Sequence, residues 1–157
     1  WIPFFIFILA SFTDFLDGLL ARLYKEESKL GELLDPIADK IIVASALVLL
    51  IMDKTILGYE VIAAIIILIR EILISGLREF LAKVQVKMPV TNLAKYKTFI
   101  QMFSIAILLT GESGNQLLNF NNYNVHSLGI FLLWVAAFLT IYTGYDYVKK
   151  GIDHAID

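Results

Sequence analysis

Apolar residues run along the chain in long blocks, separated by short polar or glycine-bearing stretches. A helix that crosses a bilayer needs about 20 largely apolar residues. Five blocks meet that length or come close to it: residues 1–23, 31–52, 57–81, 93–110 and 125–148. They predict an all-α, polytopic membrane helix bundle with five spans. The fifth is the cleanest, with no Asp, Glu, Lys or Arg from Val125 to Tyr145. The others are interrupted by Asp14, Asp17, Asp35, Asp39, Arg70, Glu71 and Arg78. Each such charge costs about 2.5–3.5 kcal/mol on insertion scales, so its presence calls for a reason. Pro36 has no N–H to donate and is expected to kink or open the second helix beside Asp35.

The polar segments set an orientation. Arg22, Lys25 and Lys29 follow the first block, Lys83 and Lys87 follow the third, and Lys149 and Lys150 follow the fifth. The opposite side carries only Lys54, and residues 111–124, an expected outer loop, have no Lys or Arg. Cytoplasmic loops are the ones enriched in Lys and Arg. The C-terminus and the Asp-rich helix ends are therefore expected in the cytoplasm. The chain opens at Trp1, already inside an apolar run, with neither a basic leader nor a small-residue cleavage site. It is expected to be a single domain over residues 1–157, truncated at its N-terminus.

Composition agrees with the blocks. The chain is 59% hydrophobic and 18% charged, with a mean hydropathy of +0.76. Soluble domains run at roughly 45–50% apolar and about 25% charged. A net charge of −2 argues against a nucleic-acid partner. With no cysteine and only His126 and His154, thiol chemistry is excluded and a His-based metal site has little to draw on. His126 reads as an interfacial polar residue. Phe4, Phe5, Phe7, Tyr142, Tyr145 and Tyr147 read as lipid-facing or interface-belt aromatics.

Carboxylates carry the chemistry. At roughly 100° per residue, Asp14, Asp17, Gly18 and Ala21 share an arc of about 100° on the first helix. Gly31, Asp35 and Asp39 share an arc of about 80° on the second. The short linker makes these helices antiparallel neighbours, so the stripes can face one another. Converging acidic groups of this kind need cations, and oxygen-only ligation suits Mg²⁺, Mn²⁺ or Ca²⁺. Two such ions can stabilise the attacking and leaving oxygens of a phosphoryl-type displacement. Gly18, Ala21 and Gly31 let a phosphorylated ligand approach the backbone closely. A cation path would instead need polar residues continuing through the membrane, and a purely structural bundle leaves the aligned carboxylates unexplained.

The segment Asp14-Phe-Leu-Asp17-Gly18-Leu-Leu-Ala21-Arg22, followed by Gly31, Asp35 and Asp39, resembles the signature of the CDP-alcohol phosphotransferase family. Leu34 to Lys40, Arg70-Glu71-Ile72, Leu77 to Phe80, and Lys95-Tyr96-Lys97-Thr98 with Gln101 resemble its bacterial branch that uses sn-glycerol 3-phosphate. The pattern departs at Ala94, where a Gly is expected before the first Lys. Family members have six spans and an N-terminal interfacial helix, so five of six are expected here.

The resemblance implies transfer of a phosphatidyl group from CDP-diacylglycerol to the acceptor, with CMP leaving. Other acceptors (inositol phosphate, serine or phosphatidylglycerol) are the alternative. It implies that Asp14, Asp17, Asp35 and Asp39 hold two Mg²⁺ or Mn²⁺ ions, with Asp39 also the general base. Gly18, Ala21, Arg22, Ser28 and Gly31 would meet the CDP moiety. Arg70 and Arg78, with Lys97 and Lys40, would meet the acceptor phosphate, where the Arg fork suits bidentate contact. It also implies a homodimer among membrane lipids in a bacterial inner membrane, with the site facing the cytoplasm.

Overall fold

The computed structural model describes residues 1–24, 29–83, 91–118 and 124–156 of the chain. These form five helices and, among the described residues, no strand: α1 (Ile2–Tyr24), α2 (Lys29–Met52), α3 (Glu60–Lys83), α4 (Asn92–Leu118) and α5 (Val125–Ile156). The all-α expectation holds. Among the described residues, one helix has both the length and the unbroken apolar composition to cross a bilayer, α5 over Val125–Lys149. Ile2–Thr13 is a shorter apolar stretch. Glu32, Asp35, Asp39 and Lys40 in α2, and Arg70, Glu71, Arg78 and Glu79 in α3, interrupt the apolar runs.

Local chemistry sets several boundaries. Thr91 caps α4, its Oγ1 accepting from the Ala94 N–H at 3.3 Å. Glu60 reaches back from the first turn of α3 to the Leu57 N–H at 3.4 Å. α2 runs through Pro36 as one helix rather than opening there. Proline withholds one intrahelical hydrogen bond, and neighbouring helices let such positions persist inside bundles. The expected 111–124 loop is partly helical: the chain breaks at Gly111 (φ 56°, ψ −146°) and resumes as helix to Leu118. That backbone geometry is open to glycine and hardly to any other residue. α5 continues past residue 148 because hydropathy ends there and helix propensity does not.

α5 packs on both α3 and α4, and α2 packs on α1, α3 and α4. The core gathers at one end of the bundle, from Leu47 and Leu50 of α2, Ala63, Ala64 and Ile67 of α3, Ile105 and Leu108 of α4, and Ala136 and Ala137 of α5. Small residues bring backbones close at helix crossings. A Cβ at Gly129 would lie 2.7 Å from Leu108 Cδ2, and the buried Ser104 hydroxyl donates to the Gly129 carbonyl at 2.8 Å. The α4–α5 contact is therefore written into one glycine. Phe7 is buried in this core rather than facing lipid. His126 is 2.7 Å through Nε2 from the Thr55 carbonyl oxygen, tying the start of α5 to the α2–α3 turn.

α3 and α4 each pack on α2 and α5, yet among the described residues their backbones do not pack on each other. The gap between them, at the charged end away from the core, is where side chains and ligand can meet.

Candidate functional site

A cavity of about 760 Å³ fills that gap. α2 supplies Asp39, Lys40 and Val43 to its wall, and α3 supplies Arg70, Glu71, Ile74 and Arg78. α4 contributes a strip that includes Lys95, Thr98 and Gln101, and α5 contributes Tyr147. On α3 the lining positions 70, 74 and 78 recur every four residues, with Glu71 beside them, which is one face of a helix. Two carboxylates, Asp39 and Glu71, and four cationic side chains thus surround a space large enough for a small phosphorylated molecule.

Arg70 is held from several directions. Its Nη2 donates to the Thr143 hydroxyl at 3.0 Å, and its Nη1 lies 3.5 Å from Glu71 Oε1. The guanidinium also sits 6.0 Å from the Tyr147 ring centre, a cation–π arrangement. A Cβ at Gly144 would stand 3.2 Å from Arg70 Cγ, so the missing side chain is what lets Arg70 lie along α5. Arg70 is therefore positioned before any ligand arrives, which spares the ordering cost a free guanidinium would incur. Arg78, two turns on, is exposed at the cavity edge, as are Asp39 and Lys95.

Lys97 behaves differently from the expected acceptor contact. It is 1% exposed, its Nζ pairs with Glu71 Oε1, and it does not belong to the cavity wall. Removing one member of a buried ion pair leaves the other charge uncompensated. One oxygen of Glu71, Oε1, thus faces both Arg70 and Lys97, cross-linking α3 to α4 where their backbones stay apart. The expected candidates Asp39, Lys40, Arg70 and Arg78 come together on the cavity; Lys97 lies behind it.

Four residues had no site role in the sequence reading, although Glu71, Lys95 and Gln101 stand in the pattern that carries the family resemblance. Lys95 takes the cavity position that Lys97 does not. Glu71 organises two cations. Gln101 lines the wall although it is 2% exposed. Tyr147, read as a belt aromatic, is buried against Arg70. A usable signal existed for the last: Thr143, Gly144 and Tyr147 form an i, i+1, i+4 set of one small, one polar and one aromatic residue on a single helix face.

The remaining candidates are placed by backbone alone. Asp14, Asp17, Gly18, Ala21 and Arg22 stand on α1, and Gly31 and Asp35 on α2, with side-chain placement outside what the structure describes. Ser28 lies outside the described residues. No group of three or more His, Asp or Glu side chains is assembled for a metal ion among the described residues. The two helices that bear the carboxylates do pack on each other.

The family model described as CDP-alcohol phosphatidyltransferase matches residues 1–142. A Rickettsia bellii protein named CDP-diacylglycerol–glycerol-3-phosphate 3-phosphatidyltransferase is 46% identical over 144 residues, covering 92% of this chain and 75% of its own. Proteins of the same name from Cereibacter sphaeroides and Haemophilus influenzae are each 39% identical. They cover 100% and 97% of this chain, and 84% and 78% of their own. With the family model spanning most of the sequence and relatives well above 30% identity along nearly all of it, the chain belongs to the CDP-alcohol phosphatidyltransferase family.

Proposed function

We infer that the chain is a transferase of phospholipid synthesis that moves the phosphatidyl group of CDP-diacylglycerol to sn-glycerol 3-phosphate, giving phosphatidylglycerophosphate and CMP. The relatives' names describe this reaction. The observation that carries it to these residues is a single cavity that holds the carboxylate of Asp39 together with Arg70, Arg78, Lys40 and Lys95. A neutral acceptor such as serine would have no use for so many cations. A doubly charged phosphate would.

In this reading the acceptor phosphate sits on Arg70 and Arg78, with Lys40 and Lys95 adding charge, and its glycerol end points toward Asp39. The Asp39 carboxylate takes the proton of the primary hydroxyl. That oxygen forms a bond to the lipid-bearing phosphorus of CDP-diacylglycerol, and the bond from this phosphorus to the oxygen of CMP breaks. Gly18, Ala21, Arg22, Ser28 and Gly31 hold the CDP moiety. The donor set Asp14, Asp17, Asp35 and Asp39 offers only oxygens on two packed helices, which fits two Mg²⁺ or Mn²⁺ ions. Bound there, the ions would supply neutralising charge for the diphosphate.

The same reading places all five helices in a bacterial inner membrane, with the cavity end in the cytoplasm and the chain in a homodimer. Supporting the membrane part, Ile62, Ile65, Ile69, Ile72 and Leu73 are exposed along α3, and Phe131, Phe138 and Ile141 along α5. Soluble monomers rarely expose apolar patches beyond a few hundred Å². Lipid would cover these faces, and the Lys/Arg asymmetry supports the orientation.

Arg78→Ala tests the acceptor site with least disturbance, because Arg78 is exposed whereas Arg70 is built into the α3–α5 contact. A charge-assisted contact is worth roughly 1.5–3 kcal/mol. The expected result is a glycerol 3-phosphate KM raised by about one to two orders of magnitude, with the CDP-diacylglycerol KM and the Tm nearly unchanged. Lys at position 78 should rescue only part, since an ammonium lacks the planar fork. Arg70→Ala should raise the same KM and lower the Tm as well. If the glycerol 3-phosphate KM stays put in both variants, neither residue belongs to the acceptor site.

A further inference from the structure

Two buried polar atoms of opposite character on this cavity's wall have no hydrogen-bond partner among the described residues. One is a donor, Nε of Arg70, and the other an acceptor, the amide oxygen of Gln101. Gln101 is 2% exposed, so water does not pay for that oxygen's lost hydration. Buried polar groups are nearly always paired, and an orphan asks for an explanation. Gln101 lies one helical turn beyond Lys97 on α4, and the Lys97 ammonium is already committed to Glu71.

A ligand that satisfies both orphans must present an acceptor to Arg70 and a donor to Gln101. The acceptor phosphate provides the first. Its attacking hydroxyl cannot provide the second, because that proton goes to Asp39. The remaining donor on a glycerol phosphate is the hydroxyl on the middle carbon. We infer that Gln101 is a specificity-determining residue whose amide oxygen accepts a hydrogen bond from the non-reacting hydroxyl of the acceptor, so that the cavity selects a phosphorylated polyol over a phosphorylated simple alcohol. This rests on the reading of the cavity as the acceptor site. A site built to bind a hydroxyl discriminates against the analogue lacking it, because its own buried group is then left unpaired.

The test uses the full chain in detergent–lipid micelles, with CDP-diacylglycerol and either sn-glycerol 3-phosphate or 3-hydroxypropyl phosphate, which keeps the phosphate and the primary hydroxyl and lacks the middle one. The parent should prefer glycerol 3-phosphate in kcat/KM by about two- to tenfold or more. Gln101→Met, similar in volume and without an amide, should bring that ratio close to one. Gln101→Glu keeps an acceptor oxygen and should retain the preference even though its charge weakens phosphate binding for both substrates. A merely structural Gln101 would lower both substrates together and leave the ratio intact. That result overturns the inference, as does a parent that uses the two acceptors equally well. A parent inert toward glycerol 3-phosphate but active with an unphosphorylated acceptor would instead overturn the reading of the cavity itself.

Discussion

Asp39→Asn is expected to lower turnover by about 10²–10⁴-fold while CDP-diacylglycerol still binds. The amide has the shape of the carboxylate and one oxygen in common with it, but it cannot take a proton. Asp39 is exposed on the cavity wall beside Lys40, so the substitution removes no core contact and should leave the fold intact. Asp17→Ala is expected to behave differently. It lies beside Gly18 in the turn assigned to the nucleotide, so binding and turnover should fall together. Equilibrium binding of CDP-diacylglycerol and single-turnover CMP release, measured on both variants, separate the two roles. Collapsed binding with high residual turnover in Asp39→Asn would show that the base is elsewhere.

Chelation is expected to abolish transfer, and added Mg²⁺ or Mn²⁺ to restore it. The basis is electrostatic. Asp14, Asp17, Asp35 and Asp39 lie on two helices that pack together, and the substrate brings a diphosphate to the same end. Like charges brought together there would oppose one another's ionisation, and bound divalent cations would relieve that. Restoration should follow ion hardness, with Mg²⁺ and Mn²⁺ effective through oxygen ligands. Full activity in excess EDTA would remove metal from the proposed function.

Much of this was legible in the sequence because it rests on periodicity. Block length marked the starts of all five helices to within three residues, while α4 and α5 run eight residues past the ends of their blocks, and the spacing of Arg70 and Arg78 and of Asp35 and Asp39 marked faces. Asp39 stands on a carboxylate stripe that helix spacing shows, and the family resemblance implies Lys40, Arg70 and Arg78. Facing between helices was not legible. Lys95 and Lys97 are two residues and about 200° apart on one helix, so at most one could line the cavity, and nothing in the local sequence says which. The structure gives the wall to Lys95 and the Glu71 pair to Lys97. Tyr147 was misread for a related reason: an aromatic just beyond an apolar block resembles a belt residue until α5 is seen to continue and carry it under Arg70. The break at Gly111 fell where the apolar block ended, but the helix beyond it has no hydropathy signature. The family signature on α1 and early α2 was the strongest sequence pattern, and its side chains are those the structure describes least.

The most direct measurement is a transfer assay on the purified chain with labelled sn-glycerol 3-phosphate, CDP-diacylglycerol and Mg²⁺, following both the lipid-soluble label and CMP. Expected is one CMP released for each labelled phosphatidylglycerophosphate formed, with no product when either substrate is omitted. A protein that carries no label from glycerol 3-phosphate into the lipid phase, yet releases CMP with serine, inositol phosphate or phosphatidylglycerol, would contradict the assignment of its acceptor.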